Sequence, residues 1–391
     1  MIFIFDKIIG KKPYPNLAHW QALPYTPEWR EFSKKWPFSE PFHFLEYLDQ
    51  ENINYQIVTS AENVENGIYP VSVSFFDFGI NWFELIDSAI LNALRAKTIK
   101  LWFFYSEGDN PCRIQRHLRT QCIKHNIPEK QVHFTSANTS ANNLDNFSYF
   151  ADDELLYRLR NEANPVNFHK NRRSKKFTAL VRTHKWWRAT SMAILWEQQL
   201  DQIGYFSYNT ELDVGEKSSD NPIEIDRFSG LRNTVETFLE SGPYTADCYH
   251  SDYHNLYHYT VEEHFSNSYL NLVLETHLDA DQSGGAFLTE KTFKPIKNAQ
   301  LFVILGPAGS IKQLKKMGYK TFDHVIDHGY DSIENNTDRW AAAMREAERL
   351  ILHEHLHSLY VESEQDILHN QRLFLRSKST RLNSLLQKVT K

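Results

Sequence analysis

The stretch Phe287-Leu-Thr-Glu-Lys-Thr-Phe-Lys-Pro-Ile-Lys-Asn-Ala-Gln-Leu-Phe-Val-Ile-Leu-Gly-Pro307 decides how the chain is read. Its second half holds a short apolar run, Leu301 to Leu305, rich in β-preferring residues and stopped by Gly306-Pro307. That is the pattern of a buried strand. Its first half opens a helix. Thr289 is a good N-cap, which puts Glu290 and Lys291 in the first turn. A helix start presents unpaired N–H groups and a partial positive charge, so a lysine beside it marks an anion site, most often for phosphate. A glutamate in the same turn suits sugar hydroxyls. Taken alone, the pair also fits a dipole-matched acid next to a solvated lysine.

Upstream, Phe177–Val181 reads as a strand, followed by Arg182-Thr-His-Lys-Trp-Trp-Arg188 and a helix to about Gln202. Cations between a strand end and a helix start, here Arg182, Lys185 and Arg188, are well placed for a diphosphate. The plainer alternative makes Arg188 a surface residue of the first turn. Gly204–Tyr208 and Tyr269–Glu275 read as further strands, and 209–228 as a polar loop. Tyr244–Tyr259 is crowded with Tyr and His and either borders a cleft or packs as aromatics. Residues 310–317 suit a helix, and Trp340–Tyr360 and Asp366–Leu386 read as two long terminal helices.

The first half alternates in the same way. Strands are predicted at 2–5, 55–58, 71–76, 99–105 and 131–134, and helices at 42–50, 82–96 and 112–125. Residues 10–41, rich in Pro and aromatics, read as an irregular packed segment. Alternating strands and helices argue for an α/β protein with parallel sheets. In such sheets ligands sit beyond the carboxyl ends of the strands. Glu107 and Asp109, in Ser106-Glu-Gly-Asp-Asn-Pro111, lie at such an end. They are candidates for proton chemistry or, equally, solvated turn carboxylates. Residues 136–148 are rich in Asn, Ser and Thr. The polar stretch 161–176 ends in a basic run, 169–176, that reads as a solvated linker more readily than as a phosphate or nucleic-acid patch. The expected division is 1–165, 166–360 and a C-terminal helix over 361–391.

The 391 residues, 41% hydrophobic and 14% aromatic, are ample for a large core. A net charge of −6 gives no general affinity for nucleic acid or anionic membrane. Cys112, Cys122 and Cys248 form no CxxC pair and fit a reducing compartment. The start lacks a signal-peptide pattern, and no run of 18 apolar residues occurs. The cytoplasm is therefore expected.

Two motifs point elsewhere. Asp279-Ala-Asp-Gln-Ser-Gly-Gly-Ala-Phe-Leu-Thr-Glu290 matches a twelve-residue calcium loop at positions 1, 3, 5, 6 and 12. Position 8 is Ala286 rather than a branched apolar residue, and a strand rather than a helix precedes it. His353-Glu-His-Leu-His357 satisfies H-E-x-x-H, but no regular third zinc ligand follows. A calcium-responsive or glycan-binding module and a zinc hydrolase are the readings that these motifs would support.

The opening stretch, Leu288-Thr-Glu-Lys-Thr-Phe-Lys-Pro-Ile-Lys-Asn-Ala with Val303-Ile-Leu-Gly-Pro307, resembles the signature of the α1,3-fucosyltransferases of glycosyltransferase family 10. The resemblance covers about residues 268–318. It implies a GT-B fold, two Rossmann-like domains facing across a cleft, with the nucleotide sugar on the C-terminal one. It implies an inverting transfer with no cofactor and no metal in the site. Residue by residue, it makes Lys291 the cation that neutralises the donor diphosphate and Glu290 the partner of the ribose or sugar. Arg188 becomes a second phosphate ligand, with Arg182 and Lys185 as competitors. Tyr105-Ser-Glu-Gly-Asp-Asn110 is similar to the family's Gly-Glu-Asn stretch, which suggests Glu107 as general base and Asp109 as its rival. The family's Phe-Glu-Asn-Ser is Leu274-Glu-Thr-His277 here, keeping only Glu275. The implied partners are a nucleotide-diphosphate sugar, GDP-linked as one candidate, and a glycan or other hydroxyl acceptor. Hydroxymethylated bases of DNA, reached through the basic run, are an alternative acceptor that the net charge does not indicate.

Overall fold

The computed structural model describes residues 1–5, 44–73, 76, 78–152, 154, 165–210, 221–246, 260–279, 284–376 and 378–390. The segment 10–41, residues 247–259 and residues 280–283 of the calcium-loop match therefore lie outside the described residues. The chain is α/β, with two parallel sheets.

The first sheet is built from β1 (Ile2–Ile4), β2 (Gln56–Val58), β3 (Gly67–Val73), β4 (Ile99–Tyr105), β5 (Val132–Ser136) and β6 (Phe147–Tyr149). Around it run α1 (Phe44–Gln50), α2 (Ser88–Ala96) and α3 (Pro111–His125). Its order is β2-β1-β3-β4-β5-β6, every pair parallel. Alternate side chains of one strand feed two cores. Leu101, Phe103 and Tyr105 join Ile90, Leu94, Ile114 and Leu118 on one face, while Trp102 and Phe104 join Phe3, Phe44 and Phe150 on the other. A parallel sheet covered on both faces needs this continuous apolar pattern.

The second sheet is built from β7 (Lys175–Val181), β8 (Gly204–Tyr208), β9 (Ser268–Leu274) and β10 (Leu301–Leu305). Its order is β10-β9-β7-β8, again parallel throughout. The helices are α4 (Trp186–Glu197), α5 (Leu231–Ser241), α6 (Glu262–Ser266), α7 (Glu290–Lys297), α8 (Ser310–Lys316), α9 (Asn336–Ile351), α10 (Leu356–Glu362), α11 (Glu364–Arg376) and α12 (Lys378–Thr390). In both sheets the second strand in sequence sits outside the first and the third lies on the other side. The order of connection thus reverses between β1 and β3, and again between β7 and β9. At such a reversal the flanking loops diverge and leave a crevice at the strands' carboxyl ends. The last helix crosses back: Leu382, Leu385, Leu386 and Val389 of α12 pack with Phe3, Phe44 and Trp102 of the first half.

Several expectations need correction. The helix read over 82–96 is a 3₁₀ turn, Trp82–Leu85, then α2, because Asp87 caps a new start by accepting from Ala89 N at 2.9 Å. The strand expected at 71–76 is β3, four residues earlier at its start; Pro70 in its middle argues against a central strand and hides it. The two long terminal helices are four, α9 to α12. The i, i+4, i+7 spacing of Leu231, Val235 and Phe238 is the signal for α5, which the sequence reading lacks. The run 169–176 is solvated only in part: 170–172 and 174 are exposed, and the rest is tied into the fold. Arg173 is buried and donates to the carbonyls of Phe265 and Ser268 and to the Tyr360 hydroxyl, with its guanidinium 4.2 Å from the Tyr360 ring centre. Lys170 pairs with Glu364 at 2.7 Å, and Lys175 and Lys176 donate to the carbonyls of Gln202 and His353. No helix among the described residues is long and apolar enough to cross a membrane.

Candidate functional site

The turn from β7 into α4 and the loop from β9 to α7 flank the reversal point of the second sheet. Four of the candidate cations lie there. Thr289 caps α7 as expected, its hydroxyl accepting from Lys291 N. What fixes that cap is Glu275, fully buried at the end of β9. Its carboxylate accepts from Thr289 N (3.1 Å), Thr289 Oγ1 (2.6 Å), Thr292 Oγ1 (2.5 Å) and Thr276 N (3.2 Å). A buried carboxylate needs this many donors, because leaving its charge unpaired would cost several kcal/mol. Glu275 was a donor-binding candidate; in the structure its oxygens meet threonines of its own half.

Arg188 plays a similar inward part. It is 3% exposed. Nε and Nη2 donate to the carbonyl of Glu275 at 3.1 and 2.5 Å, and Nη1 donates to the carbonyl of Thr183 at 3.2 Å. It ties the end of β9 to the end of β7 while leaving its charge in the crevice wall. Lys185 does the same one residue further on, donating to Thr276 O at 2.8 Å. Arg339, a residue without a motif to mark it, donates to Gly306 O (3.0 Å) and Leu278 O (2.5 Å) and holds the loops after β10 and β9 together.

Lys291 is more open. Its side chain is 31% exposed, and Nζ lies 3.0 Å from Glu290 Oε1, 3.4 Å from Thr289 Oγ1 and 3.5 Å from Thr276 Oγ1. Glu290 is itself 6% exposed. One turn on, burial, Lys291 and Arg182 together push the Lys294 amine down to about 8, against the pull of Glu290. Lys294 thus lies within the field of Arg182 and Lys291, with one carboxylate, Glu290, beside it. Around His277, burial and then Lys185, Arg188 and Lys291 drive the imidazole down to about 4, with Asp279 opposing. The two readings agree that cations outnumber anions at this end of the sheet.

The helix ends nearby differ in a telling way. The start of α8, after β10, is occupied: Asp331 accepts from Ile311 N at 2.9 Å and Lys312 N at 3.0 Å. The start of α4, after β7, has no side-chain cap. Its first amides and the positive end of its dipole lie in the turn that carries Lys185 and Arg188.

Glu107 and Asp109 sit between β4 and α3, in the first half. Asn110 caps α3, accepting from Cys112 N at 3.0 Å, with Pro111 at the first helical position. Asp109 accepts from the Tyr105 hydroxyl, and that contact with burial raises the tyrosine's pKa. Glu107 holds the loop by its backbone, its carbonyl accepting from Ser136 Oγ at 3.2 Å. This loop meets the second half directly. The carbonyl of Gly108 accepts from Asn138 Nδ2 at 2.9 Å. Asn138 and Phe287 form an antiparallel bridge, Thr139 N donates to Ala286 O at 3.0 Å, and Ala286 N donates to Thr139 Oγ1 at 2.9 Å. The Phe287 ring covers Gly108 and faces the His277 ring at 6.0 Å between centres. So the structure brings the Glu107 loop, Phe287, His277 and the Thr289–Lys291 turn into one neighbourhood. The strand before that loop is β4, one place removed from the reversal between β1 and β3.

The two tempting metal motifs fare differently. Glu290, position 12 of the calcium match, faces Lys291. The H-E-x-x-H motif spans a break: α9 ends at Ile351 and α10 begins at Leu356, so His353 and His357 do not share one helix. His353 Nδ1 accepts from His355 N, and His357 Nδ1 lies 3.2 Å from the Tyr269 hydroxyl. Among the described residues no group of three or more His, Cys, Asp or Glu is placed to hold a metal ion.

Compared with known families, curated proteins and solved structures, this chain matches no family model, no curated protein and no solved structure.

Proposed function

We propose that this chain is an inverting glycosyltransferase of GT-B type that uses a nucleotide-diphosphate sugar. One observation carries the reading: cations on two separate elements, Arg182 and Lys185 before α4 and Lys291 and Lys294 on α7, converge with the uncapped start of α4 at the chain reversal between β7 and β9. An anion of two or more charges is the ligand that such a crevice suits. The second sheet then carries the donor and the first sheet faces it with the Glu107 loop.

In this mechanism an acceptor hydroxyl attacks the anomeric carbon from the side opposite the diphosphate. Glu107 takes the hydroxyl proton. The bond from the anomeric carbon to the diphosphate oxygen breaks, and its electron pair leaves on the diphosphate. Lys291, Lys185 and Arg182 stabilise that growing charge, with the amides of α4. Glu275 and Arg188 hold the two loops in place. Glu290 binds hydroxyls of the ribose or the sugar. Side-chain cations meet the charge of the leaving group.

A thermal-shift panel of GDP, UDP, CDP and dTDP tests the reading. One diphosphate should raise the melting temperature well above the others, and Lys291→Ala should shrink that rise. A chain that none of the four stabilises, or a Lys291→Ala protein that turns over donor as well as wild type, sinks it.

A further inference from the structure

His277 is not used by the mechanism above, yet it stands at its centre. It follows Glu275 and Thr276 at the end of β9. Among the described residues no hydrogen bond reaches either ring nitrogen; its one ring contact is with Phe287. The ring is half-buried, and its nitrogens are not among the sealed polar atoms of the interior. Three cations meet the two residues just before it: Lys185 Nζ is 2.8 Å from Thr276 O, Arg188 Nε and Nη2 are 3.1 and 2.5 Å from Glu275 O, and Lys291 Nζ is 3.5 Å from Thr276 Oγ1; Asp279 follows two residues on. An imidazole with free nitrogens among three cations is a poor structural residue. It is a good ligand for whatever anion these cations are there to hold.

We infer that His277 binds the anionic ligand directly and takes up a proton when the ligand arrives. This rests on the anion-site half of the proposed function. The physical cause is a change of sign in the local field. With the crevice empty, neighbouring cations and burial disfavour the imidazolium. A diphosphate offsets those cations and adds its own negative charge at hydrogen-bond range. The imidazole then titrates about 1–3 pH units higher, the shift that an adjacent opposite charge produces. The protonated ring donates a charge-assisted hydrogen bond to a phosphate oxygen. When the diphosphate departs, the cations regain their hold and the ring loses its proton.

The test is calorimetric titration of the full chain with inorganic pyrophosphate at pH 6, in buffers of different ionisation enthalpy, for wild type and His277→Gln. The difference between the two proteins cancels any proton that pyrophosphate itself releases. Wild type should take up more protons than the variant by about 0.1–0.9 of a proton per ligand at this pH, given the shift above from a starting value of about 4. The variant should bind more weakly at pH 6, by up to about tenfold at the upper end of that shift, and lose little at pH 8, where the ring stays neutral. Equal proton uptake in the two proteins, or no pyrophosphate binding at all, overturns the inference. If the variant does not fold, the His277 ring resonances of wild type supply the answer: a titration midpoint that pyrophosphate leaves unmoved overturns it equally. GDP, UDP, CDP and dTDP run in parallel separate the two claims. His277-dependent uptake with pyrophosphate, but no nucleotide binding tighter than pyrophosphate, leaves His277 standing and removes the nucleotide-sugar reading. Nucleotide binding and donor turnover without His277-dependent uptake do the reverse.

Discussion

The ring of Phe287 lies so close over the backbone of Gly108 that a Cβ on residue 108 would sit 2.3 Å from Phe287 Cγ. Phe287 is two residues before the cap of α7, and Gly108 is next to Glu107. The two halves of the candidate site thus touch at a point where one partner has no side chain. Gly108→Ala has no room without moving the ring, and overpacking of this kind costs about 1–3 kcal/mol. The expected result is a lower urea midpoint with a disproportionate loss of nucleotide binding. Phe287→Leu in the same chain should recover part of both. Additive effects of the two substitutions would show that the contact matters to neither.

Removing the carboxylate charge at Glu275 should be costly for stability rather than for chemistry alone. Glu275→Gln puts an amide donor against hydroxyl and amide donors. Hydrogen bonds to a charged group contribute about 1.5–3 kcal/mol each, so a loss of about 2–4 kcal/mol in urea unfolding is expected. Thr292→Val removes one of these bonds and should cost less, about 1–2 kcal/mol. A Gln variant as stable as wild type would mean that the threonines find other partners.

The two acids of the β4–α3 loop should separate in kinetics. Glu107→Gln is expected to lower kcat by about 10²–10⁴ with donor binding kept, which is the usual contribution of a general base. Asp109→Asn disturbs the tie to Tyr105 and should act mostly through KM. The opposite pattern would transfer the base role to Asp109.

Lys291→Ala should lower donor turnover by about 10²–10³, by analogy with the loss of one donor to a developing negative charge. Raising ionic strength should weaken nucleotide binding in wild type more than in this variant, since one of the cations responsible is gone.

Acid should destabilise the fold in a definite window. Burial pushes His133 down to about 3, and His277 lies at about 4, both below the ordinary 6.5. Between 6.5 and these values the unfolded chain binds more protons than the folded one, so stability falls as pH falls. Thermal midpoints measured from pH 7 to pH 4 should therefore drop more steeply in wild type than in His133→Gln. Parallel curves would assign the acid sensitivity to carboxylates.

Much of the scaffold was legible because apolar runs and turn residues are local signals. Ile99–Tyr105 and Gly204–Tyr208 form strands with the bounds read from sequence. Thr289 was legible as a cap because the amide it meets lies two residues on, although Glu275, which fixes that cap, is a tertiary partner. The failures have physical causes as well. Pro70 masks β3. Arg173 looks solvated in a run of basic residues, but the carbonyls of Phe265 and Ser268 that receive it are some ninety positions away. Glu275 and Arg188 carry charge, and sequence gives no sign that their partners are threonines and backbone carbonyls. His277 was visible as a departure from a motif. Its setting among three cations appears only when β7 and β9 lie side by side.

The packing of α12 against β1 bears on the order in which the chain can fold as it is made. Phe3 and Trp102 emerge from the ribosome long before Leu382 and Val389, which share their core. One face of the first sheet, on which α1 already packs, lacks its α12 cover until the second half has been synthesised. A nascent chain stalled before residue 378 should therefore hold exposed apolar surface on β1 and β4 and draw chaperones to it, although the strands of that sheet are already present.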